Sequence, residues 1–350
     1  MYKVQFKKYL LKFKKPSGTS RGVIFDKTSW FIKISHQDNP SKFGIGECGP
    51  IDGLSIDKSN MIDNKLQELS NSKNQLDKID LTKFPSINFG LEMALKNLES
   101  SKSMEYFNNP FSNGHSSINI NGLIWMGNKE EMTSQVKNKI EAGFRCLKLK
   151  IGAISFDDEI KIIKQIRENF KSDILELRVD ANGAFDPNDV MDKLNELDRY
   201  DIHSIEQPIA VGKQLQMRNL CLKSPIDIAL DEELIGVENL KDKENLLESI
   251  NPQYIILKPS LLGGFKKTNE WISIAKKNNI KWWITSALES NIGLNAIAQY
   301  AAEFNNPLPQ GLGTGQIYSN NIPSNLEIYG DKLQINPNKK WDLNAIKFDE

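Results

Sequence analysis

Cysteine is scarce in this 350-residue sequence, and its scarcity limits how the fold can be stabilised. Cys48, Cys146 and Cys221 are the three cysteines, and none of them has the C-x-x-C spacing typical of metal and redox sites. An odd, scattered set of this kind argues against a disulfide framework and favours a reducing environment. We therefore predict a cytoplasmic protein without structural disulfides.

The chain also lacks an excess of charge of either sign and any long apolar run. Its 45 lysines and arginines balance 45 aspartates and glutamates, which argues against nucleic acid or anionic lipid as a partner. No apolar stretch is long enough to span a membrane. Residues 1–15 interleave lysines with apolar side chains, which predicts an amphipathic strand and not a signal peptide. The composition predicts no oligomeric state.

What the sequence does contain is a series of charged residues that follow short apolar runs at regular intervals. They lie between 25 and 30 residues apart, which is about the length of one strand–helix unit with short loops. The five residues are Lys150, Asp180, Glu206, Asp231 and Lys258. Such apolar runs indicate buried parallel strands, and a charge at the end of each successive strand is typical of a β/α barrel active site.

Asp180, Glu206 and Asp231 follow three consecutive predicted strands, so a barrel would bring them to one point. A single acid at such a position is more often a solvent-facing residue at a helix start. Three acids that each follow a strand at nearly the same interval argue against that interpretation. Carboxylates without a nearby histidine or cysteine select a hard cation. Mg²⁺ fits because it keeps positions open for substrate oxygens, and Mn²⁺ is its expected substitute. Asn182 and Glu232 are predicted to support these ligands.

The lysines Lys150 and Lys258 would supply further positive charge to such a site. A bound carboxylate substrate, and removal of a proton beside that carboxylate, both add negative charge, and nearby cations make the resulting enediolate accessible. A lysine near a divalent cation and a second lysine has its ammonium form disfavoured, so it can act as a base. Lys148 lies two residues before Lys150 and points to the same side of the strand. It either restrains Lys150 electrostatically or is an ordinary surface or supporting residue.

The pattern of predicted strands and helices divides the chain into three parts. Residues 1–115 predict an α+β domain, with two or three strands up to residue 50 and a polar loop over residues 16–22. A helix is predicted over residues 56–80, and residues 85–90 are predicted to open another that runs over residues 91–98. Residues 116–320 alternate strand and helix patterns, including a short strand at 311–314, and predict a parallel sheet. Residues 321–350 resume strands and turns and are predicted to return to the first domain.

Five segments of the chain resemble the motifs of the enolase superfamily in its muconate-lactonising subgroup. They are Lys148-Leu149-Lys150, Val179-Asp180-Ala181-Asn182-Gly183, Ile205-Glu206-Gln207-Pro208, Leu230-Asp231-Glu232 and Lys258-Pro259. The resemblance covers nearly the whole chain. It implies a modified (β/α)₇β TIM-type barrel with an α+β capping domain formed by the N-terminal segment and the C-terminal tail.

Within that subgroup, residues 286–294 and 311–314 are most similar to the o-succinylbenzoate synthase family of menaquinone biosynthesis. The similarity implies a carbon–oxygen lyase that performs syn dehydration of 2-succinyl-6-hydroxy-2,4-cyclohexadiene-1-carboxylate to 2-succinylbenzoate. By matching motif, Lys150 would be the base and then the acid that returns a proton to the departing hydroxyl. Lys258 would be a cation that faces the ring, a contact worth about 0.5–2 kcal/mol.

The distal succinyl group of that small carboxylate substrate is predicted to lie near the last barrel strands. Ser286, Gly313 and Thr314 are small there and would leave backbone N–H groups accessible to a carboxylate. Arg21 and Leu54 in the capping loops are further candidate contacts, and loop 16–22 either covers the substrate or is an ordinary hairpin loop. Glu233 follows the Asp231-Glu232 pair at a position where many members of the family have a smaller residue.

Two other activities share the implied fold and both lysines: N-acylamino-acid racemase and dipeptide epimerase, in which Lys258 would be a second acid/base. Dipeptide epimerases resemble one another in an Asp-x-Asp after the last barrel strand, where this chain has Gly313-Thr314-Gly315. A mandelate-type enzyme would need a histidine on the seventh strand, and His36, His115 and His203 lie elsewhere. A Schiff-base lysine enzyme and a metal-stabilised binding protein without catalysis are the remaining alternatives.

Overall fold

The structure is a computed structural model in which residues 1–19, 22–72 and 75–348 are described. Its strands are β1 (Tyr2–Thr19), β2 (Gly22–His36), β3 (Asn39–Cys48), β4 (Ile118–Asn119), β5 (Gly122–Ile124), β6 (Cys146–Lys150), β7 (Glu176–Asp180), β8 (Ser204–Glu206), β9 (Asp227–Leu230), β10 (Tyr254–Leu257), β11 (Lys281–Ile284), β12 (Leu326–Tyr329) and β13 (Lys332–Ile335). Its helices are α1 (Ser59–Ser70), α2 (Pro85–Glu99), α3 (Lys129–Glu141), α4 (Phe156–Asn169), α5 (Val190–Asp198), α6 (Gln214–Lys223), α7 (Leu240–Ile250), α8 (Pro259–Leu262), α9 (Phe265–Lys277) and α10 (Asn291–Ala302). No helix among the described residues has the length and apolarity needed to cross a bilayer.

The N-terminal strands form an antiparallel sheet in the order β1-β2-β3, which confirms the strands predicted before residue 50. Alternate side chains of β2, such as Trp30, Ile32 and Ile34, are buried in one apolar cluster with side chains of α1 and α2. The helix α2 packs so close to β3 that a Cβ atom at Gly44 or Gly46 would clash with the α2 backbone. Glycine at these two positions is therefore required by the close approach of helix and sheet.

The predicted loop over residues 16–22 is wrong in its first part, because β1 continues to Thr19. Ser17 and Gly18 pair with Ile24 and Val23 of β2, so ladder pairing with a β-branched strand overrides the turn-forming composition. The register shifts between Lys12 and Ser17. Arg21, the candidate contact in this loop, lies outside the described residues.

One of the two helices predicted in this part of the chain has different bounds in the structure. The helix predicted over residues 56–80 is shorter, because α1 ends at Ser70 and a single 3₁₀ turn follows at Leu76–Lys78. The helix predicted to open at residues 85–90 does begin at Pro85, where the missing N–H of proline costs no helical hydrogen bond. Both helices pack against the N-terminal sheet.

Seven parallel strands form the central sheet in the order β11-β10-β9-β8-β7-β6-β5, with helices between them along the chain. This sheet confirms a mixed α/β fold of the barrel type, and the strands β6 to β10 end at the predicted charged residues or one residue before them. Residues 310–311 form parallel bridges to Thr285, just after β11, and to Ile120, just before β5. The predicted strand at 311–314 is otherwise wrong, since Thr314–Gln316 is a 3₁₀ turn. Glycine at 311 and 313 weakens any ladder there.

The last part of the chain contacts both the N-terminal strands and the start of the central region. The strand β13 pairs with β12 on one side and with β4 on the other. Residues 317–319 pair instead with β1, since the Lys14 N–H donates to the Ile317 carbonyl and the Ser319 N–H to the Lys12 carbonyl, each at 2.8 Å.

Glu47 at the end of β3 joins the N-terminal sheet to the central region. Its buried carboxylate accepts hydrogen bonds from Ser29 Oγ at 2.9 Å, from Ser290 Oγ at 2.6 Å and from the Gly293 N–H at 2.9 Å. Ser290 precedes the first residue of α10, so the carboxylate lies at the positive end of that helix. These bonds tie two distant parts of the chain together.

We expect Glu47→Ala to lower the free energy of unfolding by about 3 kcal/mol or more, because it leaves several buried donors without an acceptor. Urea denaturation measures this, with Glu99→Ala at the exposed end of α2 as the matched control. A Glu47→Ala variant as stable as the control would show that this carboxylate does not connect the two regions.

Candidate active site at the carboxyl ends of the parallel strands

The charged residues predicted from the sequence are brought together by the register of the parallel sheet. Lys150, Asp180 and Glu206 end β6, β7 and β8 and are cross-strand partners, Lys150 with Asp180 and Asp180 with Glu206. Asp231 and Lys258 directly follow β9 and β10. Parallel strands end at the same edge of the sheet, so one end of the sheet carries all five side chains.

The three carboxylates converge on the ammonium groups of lysines. Lys148 Nζ lies 2.8 Å from Asp180 Oδ2 and 2.5 Å from Glu206 Oε2, so it bridges two strands. Lys150 Nζ lies 2.9 Å from the same Asp180 Oδ2. Lys258 pairs closely with Asp231, and its Nζ lies 3.9 Å from Glu206 Oε1. The expectation that Lys148 acts on Lys150 thus has a physical basis, because both bind one carboxylate oxygen.

Burial and mutual charge shift the pKa values within this cluster. Burial raises the pKa of Glu206, and the charge of Asp180 raises it further. Burial alone would also raise the pKa of Asp180, but the ammonium groups of Lys148 and Lys150 outweigh it and hold that pKa below its ordinary value. Burial would lower the pKa of Lys148, but its acidic neighbours outweigh burial and raise it. The cluster therefore holds Lys148 in its charged form.

Asn182 and Glu232 lie beside this cluster, as predicted, and connect it to the following loops. Asn182 Oδ1 accepts a hydrogen bond from Lys150 Nζ at 2.7 Å, and Asn182 Nδ2 donates to Glu232 Oε1 at 2.9 Å. The Asn182 backbone has a φ of 44°, a left-handed conformation that asparagine tolerates better than most residues. Lys150 is thus held by two side chains at the end of β7, and Asn182 connects them to the loop after β9.

Glu233, whose contacts the sequence did not predict, connects the loops after β8 and β9. Its Oε2 accepts a hydrogen bond from Gln207 Nε2 at 3.2 Å, and its Oε1 accepts one from the Gly212 N–H at 3.2 Å. Gln207 Oε1 in turn accepts from the Asp231 N–H at 3.3 Å. Glu233 therefore acts through Gln207 on the backbone that carries Glu206 and Asp231.

The donor set at this edge fits a hard divalent cation in chemistry, although its carboxylates are bound to lysines in the structure. In the part of the chain that the structure describes, no three His, Cys, Asp or Glu side chains are arranged to hold an ion. Glu206 Oε1, however, is buried and has no hydrogen-bond partner among the residues that the structure describes. A buried carboxylate oxygen without a donor is costly unless a cation satisfies it. The residues present therefore fit an oxygen-binding metal.

A cavity of 420 Å³ lies over the cluster. Its walls include the side chains of Lys148, Lys150 and Lys258, while the carboxylates lie beneath them. Four residues predicted as substrate contacts also line it: Leu54, Ser286, Gly313 and Thr314.

The residues at the far end of the cavity differ in how tightly they are fixed. Ser286 Oγ lies 2.7 Å from Thr314 Oγ1 and 3.1 Å from the Gly311 carbonyl oxygen. Gly311 is required, since a Cβ atom there would clash with the Thr285 side chain. Gly313 has a φ of −89°, and a Cβ atom there would lie 3.6 Å from the Asn121 carbonyl oxygen, so a side chain would fit but would occupy cavity space.

Several cavity residues were not predicted from the sequence. They are Ile24 on β2, Trp125 after β5, and Gln135, Asn138 and Lys139 on α3. The α3 residues have the i, i+3, i+4 spacing of one helix face, but a polar face usually faces solvent, so the spacing alone does not indicate a site. Ile24 places the first part of β2 beside the cavity.

Comparison with known proteins assigns the chain to a family. A family model described as Enolase C-terminal domain-like matches residues 131–336. The o-succinylbenzoate synthase of Desulfotalea psychrophila is 43% identical over 92% of this chain and 96% of that protein. The solved structure of MenC from Desulfotalea psychrophila LSv54 covers 95% of this chain and 99% of its own, with 39% identity and a TM-score of 0.84.

A more distant structure shares the fold alone. It is a dipeptide epimerase from Enterococcus faecalis V583, solved with Mg and the dipeptide L-Leu-L-Tyr. It covers 97% of this chain and 98% of its own, with 20% identity and a TM-score of 0.81.

The chain therefore belongs to the enolase superfamily, as its strand-end motifs predicted. Within the superfamily, the match over nearly the full length of both chains groups it with the o-succinylbenzoate synthases. This confirms the similarity predicted from residues 286–294 and 311–314.

Proposed function

We propose that this chain dehydrates 2-succinyl-6-hydroxy-2,4-cyclohexadiene-1-carboxylate to 2-succinylbenzoate, as a carbon–oxygen lyase of menaquinone biosynthesis in the cytoplasm. The observation that carries the proposal is the placement of Lys150 and Lys258 over three buried carboxylates at one cavity. The full-length similarity to o-succinylbenzoate synthase selects dehydration from the reactions that such a site could perform. The small carboxylate substrate would bind in that cavity.

We also propose the complete architecture implied by the family. Residues 310–311, which bridge to both edges of the parallel sheet, would close it into a modified (β/α)₇β barrel. Residues 1–115 would form most of an α+β capping domain, residues 116–320 the barrel, and residues 321–350 the tail. The contact between Lys33 on β2 and Phe348, whose ring centre lies 5.7 Å from Lys33 Nζ, supports a return of the tail to the capping domain.

Asp180, Glu206 and Asp231 would hold the divalent cation, Mg²⁺ or in its place Mn²⁺. When bound, the cation would supply positive charge to the substrate carboxylate and favour loss of the neighbouring proton. The buried Glu206 Oε1 atom supports this assignment, as does the all-oxygen donor set.

Lys150 would perform both proton transfers. Lys150, as a neutral amine, would take the proton from the carbon that bears the carboxylate. The C–O bond of the neighbouring hydroxyl then breaks, and the Lys150 ammonium returns its proton to that oxygen, which releases water and restores the amine. One base on one face of the ring accounts for a syn elimination. Lys258 and Lys148 would remain charged and stabilise the negative charge that develops.

The racemase alternative predicts a different role for Lys258, and substitution separates the two reactions. We expect Lys258→Arg to retain measurable dehydration, because arginine keeps a cation in place, but to abolish any racemisation, which needs a neutral amine on each face in turn. Both rates are measured on the same preparation, with N-succinyl amino acids as the racemisation substrate. A wild-type kcat/KM higher for racemisation than for dehydration would reverse the proposed assignment.

Gly313→Leu is expected to raise KM for the succinyl substrate about tenfold, because the new side chain would fill cavity space beside Thr314. Its affinity for Mg²⁺ should stay unchanged, since position 313 does not contact the carboxylates. Steady-state kinetics and metal titration measure the two effects. A normal KM would place the distal group of the substrate elsewhere, under the capping residues such as Leu54.

A further inference from the structure

The cavity extends from the lysine cluster to one face of α3. The strand β5 lies between the two, and its residue Leu123 is the cross-strand partner of Lys148. Beyond it, the wall is formed by Trp125, Gln135 and Lys139, with Gly313 on the opposite chain segment. The Gln135 amide is fixed, because its Oε1 accepts from the Trp125 N–H at 2.9 Å and its Nε2 donates to the Trp125 carbonyl at 3.1 Å. The wall in this part of the cavity is therefore fixed by hydrogen bonds between α3 and the backbone after β5.

Lys139 differs from the other lysines of the cavity in having no acidic partner. Among the described residues, no carboxylate lies within 4.0 Å of its ammonium group, whereas Lys148, Lys150 and Lys258 are all paired. Its Nζ lies 4.6 Å from the centre of the Phe144 ring. The side chain is half-buried, and burial lowers the pKa of this lysine. A cation placed in this way lacks the anion that would offset its lost hydration.

The charge balance of the cavity favours an anion at this place. In the proposed reaction Lys150 is a neutral amine, so the divalent cation, Lys148 and Lys258 would bring four positive charges to the strand ends. Three of these charges would balance Asp180, Glu206 and Asp231, which leaves one for a single carboxylate of the substrate. The proposed substrate carries two carboxylates, one on the ring and one at the end of the succinyl chain. The ring carboxylate would lie at the strand ends, which leaves the second carboxylate in need of a separate cation.

We propose that Lys139 binds the distal carboxylate of the substrate and thereby selects dicarboxylates. This inference rests on the proposed function, because that reaction supplies the second carboxylate. Lys139 takes no part in the ion pairs between lysines and carboxylates at the strand ends. The residue is therefore assigned to substrate choice and not to the proton transfers.

The test compares the binding of 2-succinylbenzoate with that of its analogue in which the distal carboxylate is a carboxamide. We expect the wild type to bind the dicarboxylate about tenfold more tightly or better, as a charge-assisted hydrogen bond would give. Lys139→Met should lose most of this preference, and Lys139→Arg should restore part of it. The control is Lys137→Met on the same helix, since the Lys137 side chain is 75% exposed and should not affect either ligand.

Kinetics separate this inference from the proposed function. Wild-type turnover of the cyclohexadiene carboxylate is measured first, and its absence would overturn the proposed function and this inference with it. With wild-type turnover normal, Lys139→Met should raise KM while kcat stays within a few-fold of wild type. An unchanged preference for the dicarboxylate in a folded Lys139→Met variant would overturn the role of Lys139 alone and assign the distal carboxylate to Ser286 and Gly313.

Discussion

Lys150→Ala is expected to lower kcat for dehydration by at least about 10²–10⁴-fold, the usual contribution of one general acid–base residue. The expectation is at the upper end of that range, because the proposed reaction uses Lys150 twice, first to take a proton and then to return one. Its Nζ lies 2.9 Å from Asp180 Oδ2 and 2.7 Å from Asn182 Oδ1, so the substitution removes a group whose position these two side chains fix.

The fold should survive this substitution, because Asp180 retains Lys148 at 2.8 Å as a partner. Circular dichroism and the affinity for 2-succinylbenzoate, measured beside kcat, show whether the loss is chemical. Lys164→Ala on α4, where the side chain is 61% exposed, is the matched control and should keep full activity. A folded Lys150→Ala variant with wild-type kcat would remove the base from the proposed reaction.

Removal of the divalent cation is expected to abolish turnover, and added Mg²⁺ to restore it. Three carboxylates at one point repel each other, and the substrate adds a fourth, so the developing negative charge needs a cation besides the lysines. Asp231→Asn should weaken Mg²⁺ binding and lower kcat by at least about 10³-fold, since it removes one of three charged oxygen ligands.

Isothermal titration with Mg²⁺, run beside the activity assay, measures binding separately from turnover. Asp227→Asn is the matched control, because Asp227 lies at the exposed start of the same strand, β9. The substitution of Asp231 also leaves the partly buried Lys258 without its closest acidic partner, so the stability of the variant is measured as well. Full activity in the presence of EDTA would exclude the metal from the reaction.

Most of the parallel sheet and its charged edge could be predicted from the sequence, for a physical reason. Buried parallel strands are short apolar runs, and helices set a nearly constant distance between them. Each strand end therefore appears in the sequence at a regular position, as Lys150 and Asp180 do. The resulting register places these residues as cross-strand partners.

The remaining features depend on partners that are distant in the sequence. Residues 16–19 have the composition of a loop but pair with β2. Residues 311–314 match a strand pattern, but among them only Gly311 makes a bridge, to Thr285, and a 3₁₀ turn begins at Thr314. Glu47 and Lys139 are ordinary charged residues in sequence, and only the folded chain shows that one joins two regions and the other lines the cavity.

Turnover of the cyclohexadiene carboxylate by the purified wild type tests the central proposal most directly. The loss of the diene absorbance is followed with and without Mg²⁺, and mass spectrometry identifies the product. We expect metal-dependent formation of 2-succinylbenzoate with a kcat/KM well above that for proton exchange in N-succinyl amino acids. Rapid proton exchange in those amino acids, with no 2-succinylbenzoate formed, would contradict the proposal and identify the chain as a racemase.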